Sequence, residues 1–396
     1  MFIMDDETFS KIAVNSSKQI AAVKQFASHR YLFDSLKSAS DKFYHGIYGI
    51  RGIGKTVMML QLAALREKPL YISADAKYLL KYDIYDIVNY AADRGYQDVF
   101  IDEIHTRVGW ASDLKTLYDE GNAKVLFTGS SSIEIQKGTD ISRRAIMHEL
   151  RPASFREYLN IKKGTRIGPV KAEELFNGDT REKLATKHSK WATFLGEYYK
   201  YGGVLYEGIE AEYPKTVMNT LDKMITVDLA SLREIDTNAI NNIYKLLYEV
   251  ASSGPYEASY SNVASYLGIS KTTSIKFIDS LSKIGILMQL YPCKGNFRKE
   301  PKIFFRTPFR SALNSSTGVK TDIGAMREEF FVNHAEPKCY FKTNRGEKTP
   351  DFMFRDKIVE VGGTGKRDYQ SADFLAVDGL SFTGNNIPLF LFGLLY

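Results

Sequence analysis

One stretch limits the fold of this chain more than any other: residues 44–65, YHGIYGIRGIGKTVMMLQLAAL. An apolar, Tyr- and Ile-rich run leads into three closely spaced glycines, the last of them opening Gly54-Lys55-Thr56, and then a run with helical character. Gly49-Ile50-Arg51-Gly52-Ile53-Gly54-Lys55-Thr56 fits the pattern G-x-x-x-x-G-K-[ST], and it sits where that pattern has a mechanism, after a strand and at the start of a helix. Glycines at 49, 52 and 54 let backbone N–H groups converge on a phosphate without Cβ clash, and the following helix adds its positive N-terminal end. The expected ligand is ATP with Mg²⁺, cradled by residues 49–57 from Gly49 to Val57. Lys55 would reach the β- and γ-phosphates, Thr56 would ligand the metal, and Arg51 would steady the triphosphate, cover the loop or pair with an acid.

The rest of the first 150 residues repeats the strand-helix alternation. PLYISA precedes IYDIVNYAA, DVFI precedes WASDLKTLYDE, and KVLFTG precedes a short SSIEIQ, with helical segments expected upstream over residues 5 to 38. This alternation argues for an α/β fold with a parallel sheet covered on both faces.

Further residues complete a candidate hydrolytic site. Val99-Phe-Ile-Asp102-Glu103 is an apolar strand ending in paired acids, 46 residues beyond Thr56, a spacing expected to put it on a neighbouring strand. Asp102 would hold the Mg²⁺ water shell, and Glu103 would orient and polarise the attacking water. The next strand ends in Thr128-Gly129-Ser130-Ser131-Ser132, hydroxyls that either contact the γ-phosphate and lytic water or belong to turn chemistry. Arg143 and Arg144 follow, either as a source of positive charge for the transition state or as an exposed pair.

Beyond Leu159 the alternation stops. The stretch KKGTRIGPVKAEELFNGDTREKLATKHSK reads as a helical, solvated connector, followed by an all-helical tract to about Gly254. Ser259 to Ile278 has apolar residues spaced for two short helices, with Gly268 at the turn and Ser270 as N-cap of the second. Lys271, Thr272, Ser274 and Lys276 would lie on the exposed face of that helix, either within reach of phosphates or base edges of duplex DNA or in a module that serves only for packing against protein. The formal net charge of the 396 residues is +6, and residues 241–310 hold ten Lys/Arg against four Asp/Glu, so this stretch carries the entire excess. The last 75 or so residues return to β-like runs, CYFKT, DFMFR, KIVEVGG and PLFLFGLLY.

Composition removes several alternatives. With 44% apolar and 25% charged residues and no run approaching the roughly 18 apolar residues of a membrane span, a globular cytoplasmic protein of two or three domains is expected. Cys293 and Cys339 are too few for a disulfide framework or a Cys-rich zinc site and read as buried or idle thiols in a reducing compartment. The six histidines have no i,i+4 pair and no Cys neighbours, which argues against zinc.

The order of these motifs resembles bacterial and archaeal AAA-type ATPases whose C-terminal half is a winged helix joined to a restriction-endonuclease-like domain. That family writes its loop G-P-R-Q-V-G-K-T, matched here except at the second, fourth and fifth positions. The similarity extends through Asp102-Glu103-Ile-His105 with Trp110, Thr128-Gly-Ser-Ser131, Arg144 (with Arg143 in place of the usual glycine), Pro152-Ala-Ser-Phe155-Arg-Glu157-Tyr, Gly202-Gly203 and MITVDLASL. It implies an AAA-like domain over 1–160, a helical connector over 161–240, a winged helix over 241–312 and a nuclease-like domain over 313–396. The nuclease fold would place metal carboxylates at Glu328, Asp351 and Glu360, but Gly362 stands where its lysine belongs, and Lys366 is the nearest replacement. The expected activity is therefore ATP hydrolysis that switches a C-terminal module with weakened or lost cleavage chemistry. A slowly hydrolysing DNA-binding regulator and a metal-dependent DNA-cleaving effector are the alternatives, and a homo-oligomer or partner protein is compatible with all three.

Overall fold

A parallel five-stranded sheet organises the N-terminal part of the computed structural model, which describes residues 4–129, 141–206, 208–230, 236–254, 256–257, 259–293, 300–341, 349–365, 371–380 and 384–396. The chain divides into two units, Met1–Arg151 and Pro152–Tyr396. The boundary falls before helix Phe155–Lys162, whose Phe155, Tyr158 and Leu159 pack in the core of the second unit.

In the first unit the strands are β1 (Tyr44–Tyr48), β2 (Pro69–Ser73), β3 (Asp98–Asp102), β4 (Lys124–Gly129) and β5 (Ala145–Glu149). Their order is β2-β3-β4-β1-β5, and every pairing is parallel. Parallel neighbours need crossovers, and α3 (Lys55–Ala63), α4 (Ile84–Ala92) and α5 (Trp110–Glu120) supply those after β1, β2 and β3. Apolar residues of these strands and helices form one core, including Leu70, Ile72, Ile87, Val99, Ile101, Leu114, Leu117 and Phe127. Upstream, α1 (Asp6–Ala22), which the short α2 (Phe33–Lys37) follows, is capped by Asp5, whose carboxylate accepts from Thr8 N, and the Ser16 hydroxyl of α1 accepts from Tyr71 N at 2.8 Å on edge strand β2. One expectation changes: β3 is not next to β1, because β4 is inserted between them. The strand tip carrying Thr128 therefore stands between the loop and Asp102.

The second unit contains helices and two further sheets. Helices Tyr260–Leu267 and Lys271–Lys283 meet at Gly268, a left-handed residue (φ 64°) where only glycine is unstrained. The Ser270 hydroxyl caps the second helix by accepting from Thr273 N at 3.1 Å. They adjoin an antiparallel sheet ordered β6-β8-β7, with β6 Tyr256–Glu257, β7 Leu287–Leu290 and β8 Lys302–Phe305. The C-terminal sheet is ordered β13-β12-β11-β10-β9, from β9 (Cys339–Tyr340), β10 (Phe352–Phe354), β11 (Lys357–Gly362), β12 (Phe374–Val377) and β13 (Asn386–Pro388). Helix Ile323–Ala335 packs against β11.

Three expectations for this unit are corrected. The stretch after Lys162, up to Lys190, is helical only from Ala172 onward and is not solvated, since Ile167, Val170, Ala172, Leu175 and Ala185 are core residues beneath a charged outer face. PLFLFGLLY is a strand only at its first residue; Leu389–Phe392 is a helical turn with all four side chains buried, an apolar run whose type periodicity cannot decide. Cys293 and Cys339 are not idle thiols but a disulfide, with Cα atoms 4.9 Å apart. Cys293 N donates to Tyr340 O at 2.8 Å, so strand pairing brings together two cysteines that lie 46 residues apart in sequence.

Candidate nucleotide site

The loop between β1 and α3 is shaped by backbone demands before any ligand is considered. Gly49 has φ 153°, and a Cβ there would meet Leu150 O at 2.3 Å, so a side chain is excluded on distance as well as conformation. Gly54, with φ 92°, begins α3 as its N-cap and turns the first helical N–H groups toward the loop. Ile50 and Ile53 are buried and anchor the loop's apolar side, while Arg51, Thr56 and Val57 are half-buried and Gly52 is exposed. The buried Arg30 guanidinium donates to Ile53 O and, at 2.6 Å, to Arg151 O, fixing the loop to the chain that leaves β5.

Lys55 is 5% exposed, and its ammonium donates to Gly49 O and Ile50 O, both at 2.9 Å, so the charge is held inside the curve of the loop. Across from it, the Asp102 carboxylate at the end of β3 gathers three hydroxyls. Thr56 Oγ1 donates to Oδ2 at 2.7 Å, Tyr71 OH donates to the same oxygen at 3.1 Å, and Thr128 Oγ1 donates to Oδ1. Burial, and after it the Asp102 charge, pushes the Tyr71 phenol well above its usual range, so it remains a donor. Thr128 is fully buried and also accepts from Glu103 N at 3.2 Å. One hydroxyl thereby fixes both acids of the Asp-Glu pair.

Glu103 adopts a left-handed conformation (φ 52°, ψ 39°) that non-glycine residues rarely occupy, turning its side chain out of the strand direction. Its Oε2 lies 3.6 Å from His105 Nε2. Behind it the buried Arg107 donates to the carbonyls of Ala74, Leu79 and Tyr82, joining the segment after β3 to the one after β2. The adjoining Thr56 hydroxyl and Asp102 carboxylate are a hard oxygen donor set that suits Mg²⁺. Hydrogen bonds therefore link Thr56, Asp102, Glu103 and Thr128, and Tyr71 joins them, while Lys55 is held by the carbonyls of its own loop and Arg30 pins that loop from outside. Tyr71 lies on an alternating strand where an aromatic ring reads as packing, and Arg30 lies upstream of any motif.

Arg144 is not at this site. It precedes β5, and its carbonyl accepts from Tyr44 N at the start of β1, so it lies at the opposite end of the sheet from the loop, about one strand length or 16 Å away. Its guanidinium is engaged bidentately by Asp119 on α5, at 2.7 and 2.9 Å. Arg143, its neighbour, shares that end of the sheet, while Ser130, Ser131 and Ser132 lie outside the described residues.

In the second unit, Lys271, Thr272 and Lys276 are exposed on helix Lys271–Lys283, whereas Ser274 is fully buried and donates to Tyr260 O and Lys271 O. The basic stretch is also less available than its count implies. Lys302 is paired with Glu328 at 2.6 Å and Arg310 with Glu329 at 2.9 Å, both in largely buried settings; Lys294, Arg298 and Lys299 lie outside the described residues. Asp351 accepts from Val361 N at 2.8 Å, and Glu360 is buried on β11. Among the described residues no group of three or more His, Cys, Asp or Glu is placed to hold a metal ion, so Glu328, Asp351 and Glu360 are not gathered as a cation site. Lys366 lies outside the described residues.

Comparison with known proteins agrees with the geometry of the first unit. Residues 42–159 match the protein family described as AAA domain. The uncharacterized protein MJ1637 of Methanocaldococcus jannaschii is 29% identical over 385 residues, covering 85% of this chain and 80% of that protein. Among solved structures, Aeropyrum pernix ORC1 in complex with DNA aligns at 11% identity and TM-score 0.30, covering 76% of this chain and 92% of that one. AMPPCP-bound DnaA from Aquifex aeolicus aligns at 17% identity and TM-score 0.26, covering 64% and 86%. Likeness at that level carries no functional argument. The AAA match, the parallel sheet and the loop geometry together support an AAA-type P-loop ATPase domain. No helix among the described residues is long and apolar enough to cross a membrane.

Proposed function

We propose that the chain binds and hydrolyses ATP at Lys55, Thr56, Asp102 and Glu103, and that nucleotide state switches a C-terminal module acting on duplex DNA. The observation that carries the first half is the Asp102 carboxylate, which accepts from the loop hydroxyl of Thr56 and from Thr128, the hydroxyl that also accepts from Glu103 N. On this reading Lys55, together with the loop N–H groups from Gly49 to Val57 and Arg51, binds and orients the phosphates. Thr56 and Asp102 would hold Mg²⁺, which when bound neutralises phosphate charge. Glu103 accepts the proton of the attacking water, and Thr128 and Tyr71 keep Asp102 in position. Arg144 or Arg143 would serve only across an interface with a second copy, because each lies a strand length from its own loop.

Two helices meeting at Gly268, with the sheet β6-β8-β7, support reading residues 241–312 as a winged helix, with Lys271, Thr272 and Lys276 facing DNA phosphates. The mixed sheet and helix Ile323–Ala335 support a nuclease-like scaffold over 313–396. Pairing of Glu328 with Lys302 favours lost cleavage.

Nucleotide binding tests the first half: Lys55→Ala should weaken ATP affinity by about tenfold or more, the loss of a charge-assisted hydrogen bond. Unchanged affinity would remove the site. Duplex binding across a salt series tests the second half, since Lys271→Ala and Lys276→Ala should each lower the salt slope by about one. An unaltered slope would remove this DNA contact.

A further inference from the structure

We infer that Cys293 and Cys339 form a thiol–disulfide exchange site that clasps two sheet edges together, and that reduction by a dithiol opens this seam without unfolding the unit. β7 ends one side of the three-stranded sheet, and β9 ends one side of the five-stranded sheet. An unpaired edge offers free N–H and C=O groups to any other strand. Here the continuation of β7 closes on β9: Pro292 pairs with Tyr340 as an isolated parallel bridge, Cys293 N donates to Tyr340 O at 2.8 Å, and Tyr340 N donates to Tyr291 O at 3.1 Å. The disulfide lies directly on this short seam, with Cα atoms 4.9 Å apart.

Two features make the clasp responsive. Both cysteines are partly exposed residues, and thiol–disulfide exchange is governed by such access. The surroundings also hold without it: Leu290, Phe304, Tyr340 and Phe352 share one core, Phe304 and Phe352 have ring centroids 5.9 Å apart, and Tyr340 OH donates to Glu300 O at 3.2 Å. Losing the covalent tie therefore leaves the sheets packed but frees the bridge, and with it the β9 backbone that pairs toward Asp351 through Phe341 N and Asp351 O at 3.0 Å.

The exchange balances with a small dithiol as reductant. Its thiolate attacks one protein sulfur and breaks the protein S–S bond. A mixed disulfide forms, and the second thiolate of the reagent then closes its own disulfide. Two electrons and two protons pass to Cys293 and Cys339, and a disulfide oxidant reverses the step.

The test uses the full chain, oxidised and then treated with dithiothreitol under native conditions. Mass measurement after alkylation should show no modified cysteine before reduction and two after it. Hydrogen exchange of peptides covering residues 286–293 and 337–341 should become at least about tenfold faster on reduction, while peptides from β1 and β4 stay unchanged. A Cys293→Ser variant should match the reduced protein in either buffer, and the wild-type measurement stands alone if that variant does not fold. Two alkylatable thiols in the oxidised chain, resistance of the bond to native reduction, or unchanged exchange at the seam would each overturn the proposal.

Discussion

Replacing Thr128 by valine isolates the polar network at the centre of the nucleotide site. Valine nearly matches threonine in shape, so no cavity opens and only the hydroxyl is lost. That hydroxyl is fully buried, donates to Asp102 Oδ1 and accepts from Glu103 N at 3.2 Å. A hydrogen bond to a charged group contributes about 1.5–3 kcal/mol, and a buried N–H left without its acceptor adds about 1 kcal/mol or more, so the first unit should lose about 3 kcal/mol. A unit of this size has a urea slope of about 2 kcal/mol per M, which moves the midpoint down by about 1.5 M. The chain has two tryptophans, and Trp110 is buried with its ring centroid 5.9 Å from that of Phe127, next to Thr128. In a Trp191→Phe background its fluorescence therefore reports this unit alone. Thr128→Ser keeps the hydroxyl and should stay within about 1 kcal/mol of wild type. A valine variant whose midpoint matches wild type would refute the assignment of Thr128 as the hydroxyl that fixes both acids.

Other substitutions probe the rest of the framework. The buried Tyr44 hydroxyl has no hydrogen-bond partner among the described residues, so Tyr44→Phe should leave the urea midpoint of the first unit unchanged or raise it by up to about 1 kcal/mol equivalent. Arg310 pairs with buried Glu329 and donates to the carbonyls of Val250, Ala251 and Ser253; Arg310→Met should cost about 3 kcal/mol, read by Trp191 fluorescence during urea unfolding in a Trp110→Phe background. His148 Nε2 lies 3.0 Å from His45 Nδ1, and burial, then the His45 charge, holds the His148 pKa below its ordinary 6.5. Below pH 6.5 the unfolded chain binds a proton that the folded chain resists, so stability falls as pH drops from about 6.5 toward the lowered folded value. Urea midpoints at pH 7.5 and 5.5 should differ less in His148→Gln than in wild type.

The loop, its flanking strand and helix, and the Asp102-Glu103 strand end are legible in the sequence because each rests on local chemistry: glycine conformations, apolar alternation and a strand that stops at acids. The position of β3 is not legible, because spacing along the chain does not say which strand inserts between two others. Tyr71 escapes for a related reason, since its hydroxyl meets Asp102 only through the pairing of β2 with β3. Arg144 looks like a site residue because it follows the Thr128 strand, yet a parallel crossover returns the chain to the far end of the sheet before β5 begins. In the second unit, Ser270 is readable as a helix cap, whereas the Cys293–Cys339 bond and the pairs of Lys302 and Arg310 depend on contacts 46, 26 and 19 residues apart. Charge counted along a sequence therefore overstates the charge free to meet a nucleic acid.

Steady-state phosphate release from ATP and Mg²⁺, measured side by side for the full chain and Glu103→Gln, tests the proposed chemistry most directly. Wild type should turn over, while the variant should lose about a hundredfold or more of the rate and keep its ATP affinity within about threefold, as expected when a general base is removed from an intact cradle. Equal turnover by the two proteins would contradict the account.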